Sequence, residues 1–222
     1  MSEDKKYQRP GLYCADCMEG MKEFPDKYFD LAIVDPPYGG AIEKDEGKIK
    51  AGRTGGTWAS KYGTTIKEWD VAPGGDYFKE LFRVSKNQII WGGNYFPLPP
   101  TRCFLVWRKT NIPEQFTMSM IEYAWTSFDA NAKLYEKTSS GTLQNPRFHP
   151  TQKPVDLYKW ILGNFAKEDD KILDTHAGSA SSLIAAHRAG FDAWGFEIND
   201  GYYQIAKKRL EQEKAQVTFW EL

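Results

Sequence analysis

The chain has 222 residues, 41% of them hydrophobic and 27% charged, enough for one α/β domain with a substantial core. Its net charge of −1 excludes a uniformly basic body, and no apolar stretch approaches the roughly 20 residues that span a bilayer. Three cysteines, an odd count, argue against a disulfide framework. Residues 1–6 lead into no apolar core of a signal peptide, so the expected location is the cytoplasm.

Residues 12–14 read as a short strand that ends at Asp16, and residues 17–24 have helical spacing up to the stop at Pro25. Cys14 and Cys17 form a C-x-x-C with no second pair nearby. Structural zinc wants four ligands at set spacings, so packing around a turn is the favoured reading and no metal is expected. Residues 30–34 read as a strand whose short, continuous apolar run, Leu31-Ala32-Ile33-Val34, suits a parallel strand covered on both faces. It delivers Asp35-Pro36-Pro37-Tyr38. Ligands of open α/β sheets sit just beyond such strand ends. The two prolines stiffen the loop and remove N–H donors, leaving carbonyl acceptors beside a carboxylate and an aromatic face. That combination suits a flat, amino-bearing ring such as a nucleobase. A plain tight turn would use the same residue types.

From Gly39 to about Lys67 the chain is glycine-rich, polar and without periodicity, the mark of a functional or mobile loop. Residues 48–67 carry Lys48, Lys50, Arg53, Lys61 and Lys67 and no acid; residues 137–153 carry Lys137, Arg147 and Lys153 and again no acid. Such loops on a neutral body either contact phosphates or are simply solvated. A helix is predicted over 76–84, a strand over 87–91 ending in Gly92-Gly93-Asn94, and a strand over 104–107. Residues 120–127 and 130–136 read as a hairpin joined around Phe128-Asp129. A polar loop over 137–149 precedes a helix over 154–165.

The last third repeats strand, turn and helix. A strand over 171–174 meets the small-residue turn Thr175-His176-Ala177-Gly178-Ser179-Ala180, then a helix over 181–189 stopped by Gly190. A strand over 193–196 ends at Glu197, and an amphipathic helix follows over 202–213. Strands alternating with helices imply a doubly wound, mostly parallel sheet. No linker or repeat divides the chain, so residues 1–222 read as one domain. Glu197 lies 19 residues after Gly178. In dinucleotide folds an acid about 20 residues past the glycine turn binds ribose hydroxyls. The turn lacks G-x-G-x-x-G, so a ribose-bearing cofactor without a pyrophosphate fits it better.

Together the two signatures resemble the amino-group DNA methyltransferases. That family pairs an Asp/Ser/Asn-Pro-Pro-Tyr/Phe catalytic loop with a glycine-containing turn for S-adenosylmethionine. The catalytic loop comes first here, with His149-Pro150-Thr151-Gln152-Lys153-Pro154 between the two, which is similar to the β group with its permuted motif order. Asp16, Trp91-Gly92-Gly93-Asn94 and Tyr203-x-x-Ala206 agree, and the resemblance covers roughly residues 11–210. It implies a Rossmann-like methyltransferase fold, S-adenosylmethionine as cofactor and double-stranded DNA as partner, and it admits a homodimer. Two departures stand out: the turn reads D-T-H-A-G-S-A where D-P-F-x-G-S-G is usual, and Ala180 replaces a glycine. Ala180 tolerates the same backbone only if its φ is negative.

The resemblance also implies roles. Asp35 and the Pro36 carbonyl would accept the two N–H groups of a target amine, within a loop completed by Pro37 and Tyr38. Tyr38 would stack on the base once it is flipped from the duplex. For the cofactor, Glu197 would bind the ribose. Asp174, Gly178, Ser179 and Ala180 would line the pocket beside Asp35, and Asp16 would meet the adenine amino group. Thr151 and Lys153 would serve the methionine end. His176 would stack on the cofactor, bond to it, or merely pack. The aspartate form of the loop leans toward adenine N6, with cytosine N4 as the alternative. Lys48, Lys50, Arg53, Lys61, Lys137 and Arg147, in loops 39–67 and 137–148, are the candidate DNA contacts. Phosphate contacts position but do not specify, so a relaxed or very short recognition sequence is expected. Methyltransferases of RNA bases or glutamine usually place the cofactor turn first, and a non-catalytic relative would be expected to lose Asp35 or Glu197.

Overall fold

A computed structural model describes residues 6–39, 71–115, 119–139, 149 and 151–220. Strand β1 (Gly11–Cys14) leads to helix α1 (Cys17–Lys22) and then to β2 (Phe29–Val34). Next come α2 (Gly75–Val84), β3 (Ser85–Trp91), β4 (Phe104–Lys109), β5 (Ile121–Thr126) and β6 (Lys133–Lys137). The chain closes with α3 (Val155–Phe165), β7 (Ile172–Asp174), α4 (Ser181–Arg188), β8 (Ala193–Glu197) and α5 (Asp200–Trp220). The last helix runs past its predicted end at residue 213 to Trp220.

Among the described residues the strands form one eight-stranded sheet in the order β1-β8-β7-β2-β3-β5-β4-β6. It is parallel from β1 through β3 and antiparallel across β3–β5 and β5–β4, and β6 pairs parallel with β4. The expected α/β class, with a mostly parallel sheet, is therefore found. The hairpin expected over 120–136 is not. β5 is inserted between β3 and β4, and β6 forms the edge beyond β4, so these two consecutive strands never touch. Both are short and flanked by turn residues, and such a pattern marks strands without saying which neighbours they pair with.

β2 shows why the middle of the sheet reads as an unbroken apolar run. Ala32 and Val34 pack on the layer that includes Met21 of α1 and Tyr77, Phe78 and Leu81 of α2. Leu31 and Ile33 pack on the opposite layer, with Leu157 and Ile161 of α3 and Ala185 and Ala186 of α4. Both faces are thus buried. The β2–α2–β3 crossover covers one face and the β7–α4–β8 crossover the other, and the two units run outward in opposite directions from the β7–β2 pair. A doubly wound sheet opens its ligand crevice at such a point, beyond the carboxyl ends of the strands.

Candidate active site

Four carboxylates stand at or just past the carboxyl ends of adjacent strands: Asp16 after β1, Glu197 on β8, Asp174 on β7 and Asp35 after β2. With strands about 4.8 Å apart, the row spans roughly 14 Å.

Asp35 is fixed by side chains. The Tyr38 hydroxyl donates to its Oδ1 at 2.8 Å, and Lys153 Nζ pairs with its Oδ2. Lys153 also meets Glu122 Oε2 at 3.1 Å and lies 5.1 Å from the centre of the Trp91 ring. Glu122 in turn receives Lys109 Nζ at 2.6 Å. The Lys153 side chain is only 2% exposed, so this cation is sustained by its two carboxylate partners. Burial pulls its pKa down, but Asp35 and Glu122 outweigh burial and leave it raised. Glu122 is the mirror case: burial pushes it up, and Lys153 and Lys109 carry it below the ordinary value. The Tyr38 hydroxyl is pushed well above its ordinary value, first by burial and then by Asp35.

Tyr38 owes its place to Gly92. A Cβ at Gly92 would come within 2.0 Å of Tyr38 Cε1, and Gly92 has φ +66°, where side chains are disfavoured. Tyr38 stacks on Tyr95 with ring centres 4.8 Å apart, and Phe96 approaches it edge-on at 6.1 Å.

The carboxylates on the other side are gripped by backbone. Glu197 accepts Gly178 N at 2.9 Å on one oxygen and Asn199 N at 2.8 Å on the other. Burial raises its pKa, and those N–H groups counter the rise. Asp174 accepts His176 N at 3.0 Å and the Ser182 hydroxyl. Burial dominates there and pushes it up to about 7, with Asp35 and Glu197 adding to the rise against those hydrogen bonds.

Gly178, with φ +50°, lies under the ring of His149, which contacts Tyr202 edge-on at 4.2 Å. Burial holds His149 down to about 4, so it is neutral at pH 7. Thr151 is exposed and its hydroxyl lies 3.2 Å from His149 Nδ1. Ser179 is buried with its hydroxyl 3.2 Å from that of Ser181. Ala180 caps α4 with φ +58°, against the expectation of a negative φ. The turn enters the helix through a left-handed residue, which costs a non-glycine side chain about 1–2 kcal/mol.

His176 packs. Its Nδ1 is 2.9 Å from the Thr175 hydroxyl, its ring meets Tyr77 edge-on at 5.4 Å, and burial lowers it to about 4. Asp16 is the N-cap of α1, its Oδ1 accepting Met18 N at 2.8 Å. Lys137 ends β6 in an ion pair with Asp156 at 2.8 Å, at the sheet edge. Lys48, Lys50, Arg53, Lys61 and Arg147 lie outside the described residues. Among the described residues, no three or more His, Cys, Asp or Glu side chains are grouped to hold a metal, and no helix is long and apolar enough to cross a membrane.

Sequence reasoning missed Glu122 and Lys109. The signal was an acid inside the apolar run of β5, which needs a buried cation nearby. Lys109 is its diagonal cross-strand neighbour, two residues beyond Trp107, which pairs directly with Glu122.

Comparison with known proteins agrees with this architecture. The type II methyltransferase M.HindIII of Haemophilus influenzae is 38% identical over 73 residues, a third of this chain (33%) but only 24% of that protein. Other relatives, 22–24% identical, align over 88–95% of the chain. The fold is that of the M1.HpyAVI–SAM complex (TM-score 0.56, 21% identity, 89% of this chain and 98% of that one). It is also that of the cytosine-N4-specific PvuII DNA methyltransferase (TM-score 0.58, 13% identity, 96% of both chains). The N6/N4 methyltransferase profile, described as DNA methylase, matches residues 88–208, from β3 through the turn after β7 into α5 and more than half of the chain. The chain belongs to the N6/N4 DNA methylase family.

Proposed function

We propose that this protein transfers a methyl group from S-adenosylmethionine to the N6 amine of adenine in double-stranded DNA. The row of carboxylates on β1, β8, β7 and β2 carries the reading, because it ends at an Asp-Pro-Pro-Tyr loop. The cofactor's fit rests on this chain's own groups. Acids suit a ligand that carries a sulfonium and an ammonium, and Gly178 holds a φ of +50° that a side chain would disfavour. Glu197 would hold the ribose hydroxyls. Its oxygens each accept one backbone N–H, which leaves lone pairs for further donors. Asp16 would meet the adenine end, and Asp174, Lys153 and Thr151 the methionine end.

When bound, the cofactor supplies a methyl group on positively charged sulfur. The residues supply alignment. An exocyclic amine is a poor nucleophile because its lone pair is delocalised into the ring. Asp35 and the Pro36 carbonyl accept its two N–H groups and draw the nitrogen toward tetrahedral geometry, so the lone pair points at the methyl carbon. Lys153 and Tyr38 hold the carboxylate still while it does so, and preorganisation of this kind is where much of the rate gain arises. The base must leave the duplex to reach the loop. The basic segments 48–67 and 137–148 would contact phosphates.

The test is incubation of labelled S-adenosylmethionine with unmethylated duplex DNA, followed by nucleoside analysis. N6-methyladenine is the expected product. N4-methylcytosine would keep the mechanism and change the base, and label in RNA alone would overturn the substrate.

A further inference from the structure

We infer that Tyr95 is the second wall of the slot that takes the flipped base, so that the base is held between Tyr38 and Tyr95. This rests on the base-flipping reading above. Tyr95 is 60% exposed, although it stacks on the aromatic ring of the Asp-Pro-Pro-Tyr loop. Its ring lies nearly parallel to that of Tyr38, at 21° and 4.8 Å between centres, and Tyr38 is bonded to Asp35. The face on which a base would stack is therefore already covered by an aromatic ring in the free protein. The base must displace Tyr95 or slide beneath it.

The local structure favours sliding beneath. Tyr95 closes a single 3₁₀ turn, Gly93–Tyr95, that starts from the left-handed Gly92. Gly92 fixes the turn against Tyr38, and Gly93 fixes it against Trp125, whose Cβ would be 2.4 Å from an added Cβ. Phe96, the next residue, is anchored on Phe78 at 5.1 Å. The backbone is thus held on both sides while the Tyr95 ring projects toward solvent, free to swing on its own side-chain torsions. A third ring between two others needs their planes roughly 7–8 Å apart, twice the ordinary contact distance. A side-chain rotation at an exposed position supplies that opening without disturbing the core. In the free protein the same ring shields Tyr38 and keeps its hydroxyl on Asp35.

The experiment compares wild type with Tyr95→Ala, Tyr95→Leu and Tyr95→Phe, using unmethylated plasmid DNA. Steady-state constants for DNA and for S-adenosylmethionine are measured separately, with a thermal melt of each variant. Removing one aromatic base stack should lower kcat/KM for DNA by about 10- to 100-fold in the Ala and Leu variants. Tyr95→Phe should recover most of it, and KM for S-adenosylmethionine and the melting temperature should stay near wild type. Equal kcat/KM for DNA in wild type and Tyr95→Ala would overturn the inference and leave the methyltransferase reading intact. So would a loss that tracks the melting temperature or the cofactor KM, since that is what a merely structural residue would show. A wild-type protein that methylates no DNA would overturn both.

Discussion

The two halves of the site hold their carboxylates by different means. On β7 and β8, Asp174 and Glu197 are gripped by backbone N–H groups of His176, Gly178 and Asn199, helped by Ser182, all within residues 174–199. After β2, Asp35 is gripped by side chains. One is Tyr38, three residues on, and the other is Lys153, 118 residues on, itself steadied by Glu122 and through it by Lys109. Backbone donors do not depend on the side chain that carries them and survive most side-chain changes. A chain of buried charges depends on every member, because removing one leaves another uncompensated. The half on β7 and β8 should therefore tolerate substitution, and the half around Asp35 should be brittle.

The sharpest way to break that comparison is Lys153→Gln. It leaves Asp35 and Glu122 without their shared cation. Unfolding stability should fall by about 3 kcal/mol, the cost of breaking a buried ion pair. Methyl transfer should fall by about 100-fold through lost preorganisation, the scale at which removal of one aligning group is felt. Denaturant melts and initial rates check both effects. Adding Glu122→Gln should restore much of the stability without restoring transfer. A Lys153→Gln variant as stable as wild type would show that the half around Asp35 is not brittle.

A smaller effect sharpens the other side. Burial raises Asp174 to about 7 in the free protein. An acid whose folded pKa is raised adds stability that is fully present below its unfolded value, near 4, and lost as pH rises through about 7. A cationic ligand beside it favours the carboxylate and reverses the shift. Cofactor binding should therefore release up to one proton near pH 6.5, and affinity should climb by less than about tenfold per pH unit up to roughly pH 7.5. Calorimetric titration in buffers of different ionisation enthalpy reads the proton directly. Binding that takes up protons would show that Asp174 does not face the cofactor.

Much of this arrangement is legible in the sequence, for physical reasons that also set its limits. β2 and β7 announce themselves because strands buried on both faces must be continuously apolar, and the acid that follows each run stands out. The Asp35 loop and the spacing from Gly178 to Glu197 are local, so they survive being read one residue at a time. Pairing is not local. Nothing in 121–126 or 133–137 says that β4 separates them, since alternation fixes a face and not a neighbour. The Lys153–Glu122 contact joins β5 to the segment before α3, which only the folded sheet brings together. Ala180 shows the other limit. A left-handed cap without glycine contradicts local preference and is held there by its surroundings, with Ile184 N donating to the Ala180 carbonyl at 3.0 Å and Arg209 bonded to the Ser179 carbonyl at 2.7 Å.

The central claim is that Asp35 aligns the target amine, and Asp35→Asn tests it most directly. The measurement is a single-turnover rate of methyl transfer into unmethylated duplex DNA, with cofactor affinity determined on the same preparation. The account predicts a rate lower by on the order of 10³-fold, with affinity for S-adenosylmethionine within about tenfold of wild type. Transfer within about tenfold of wild type, or a rate loss wholly explained by lost cofactor binding, would contradict it.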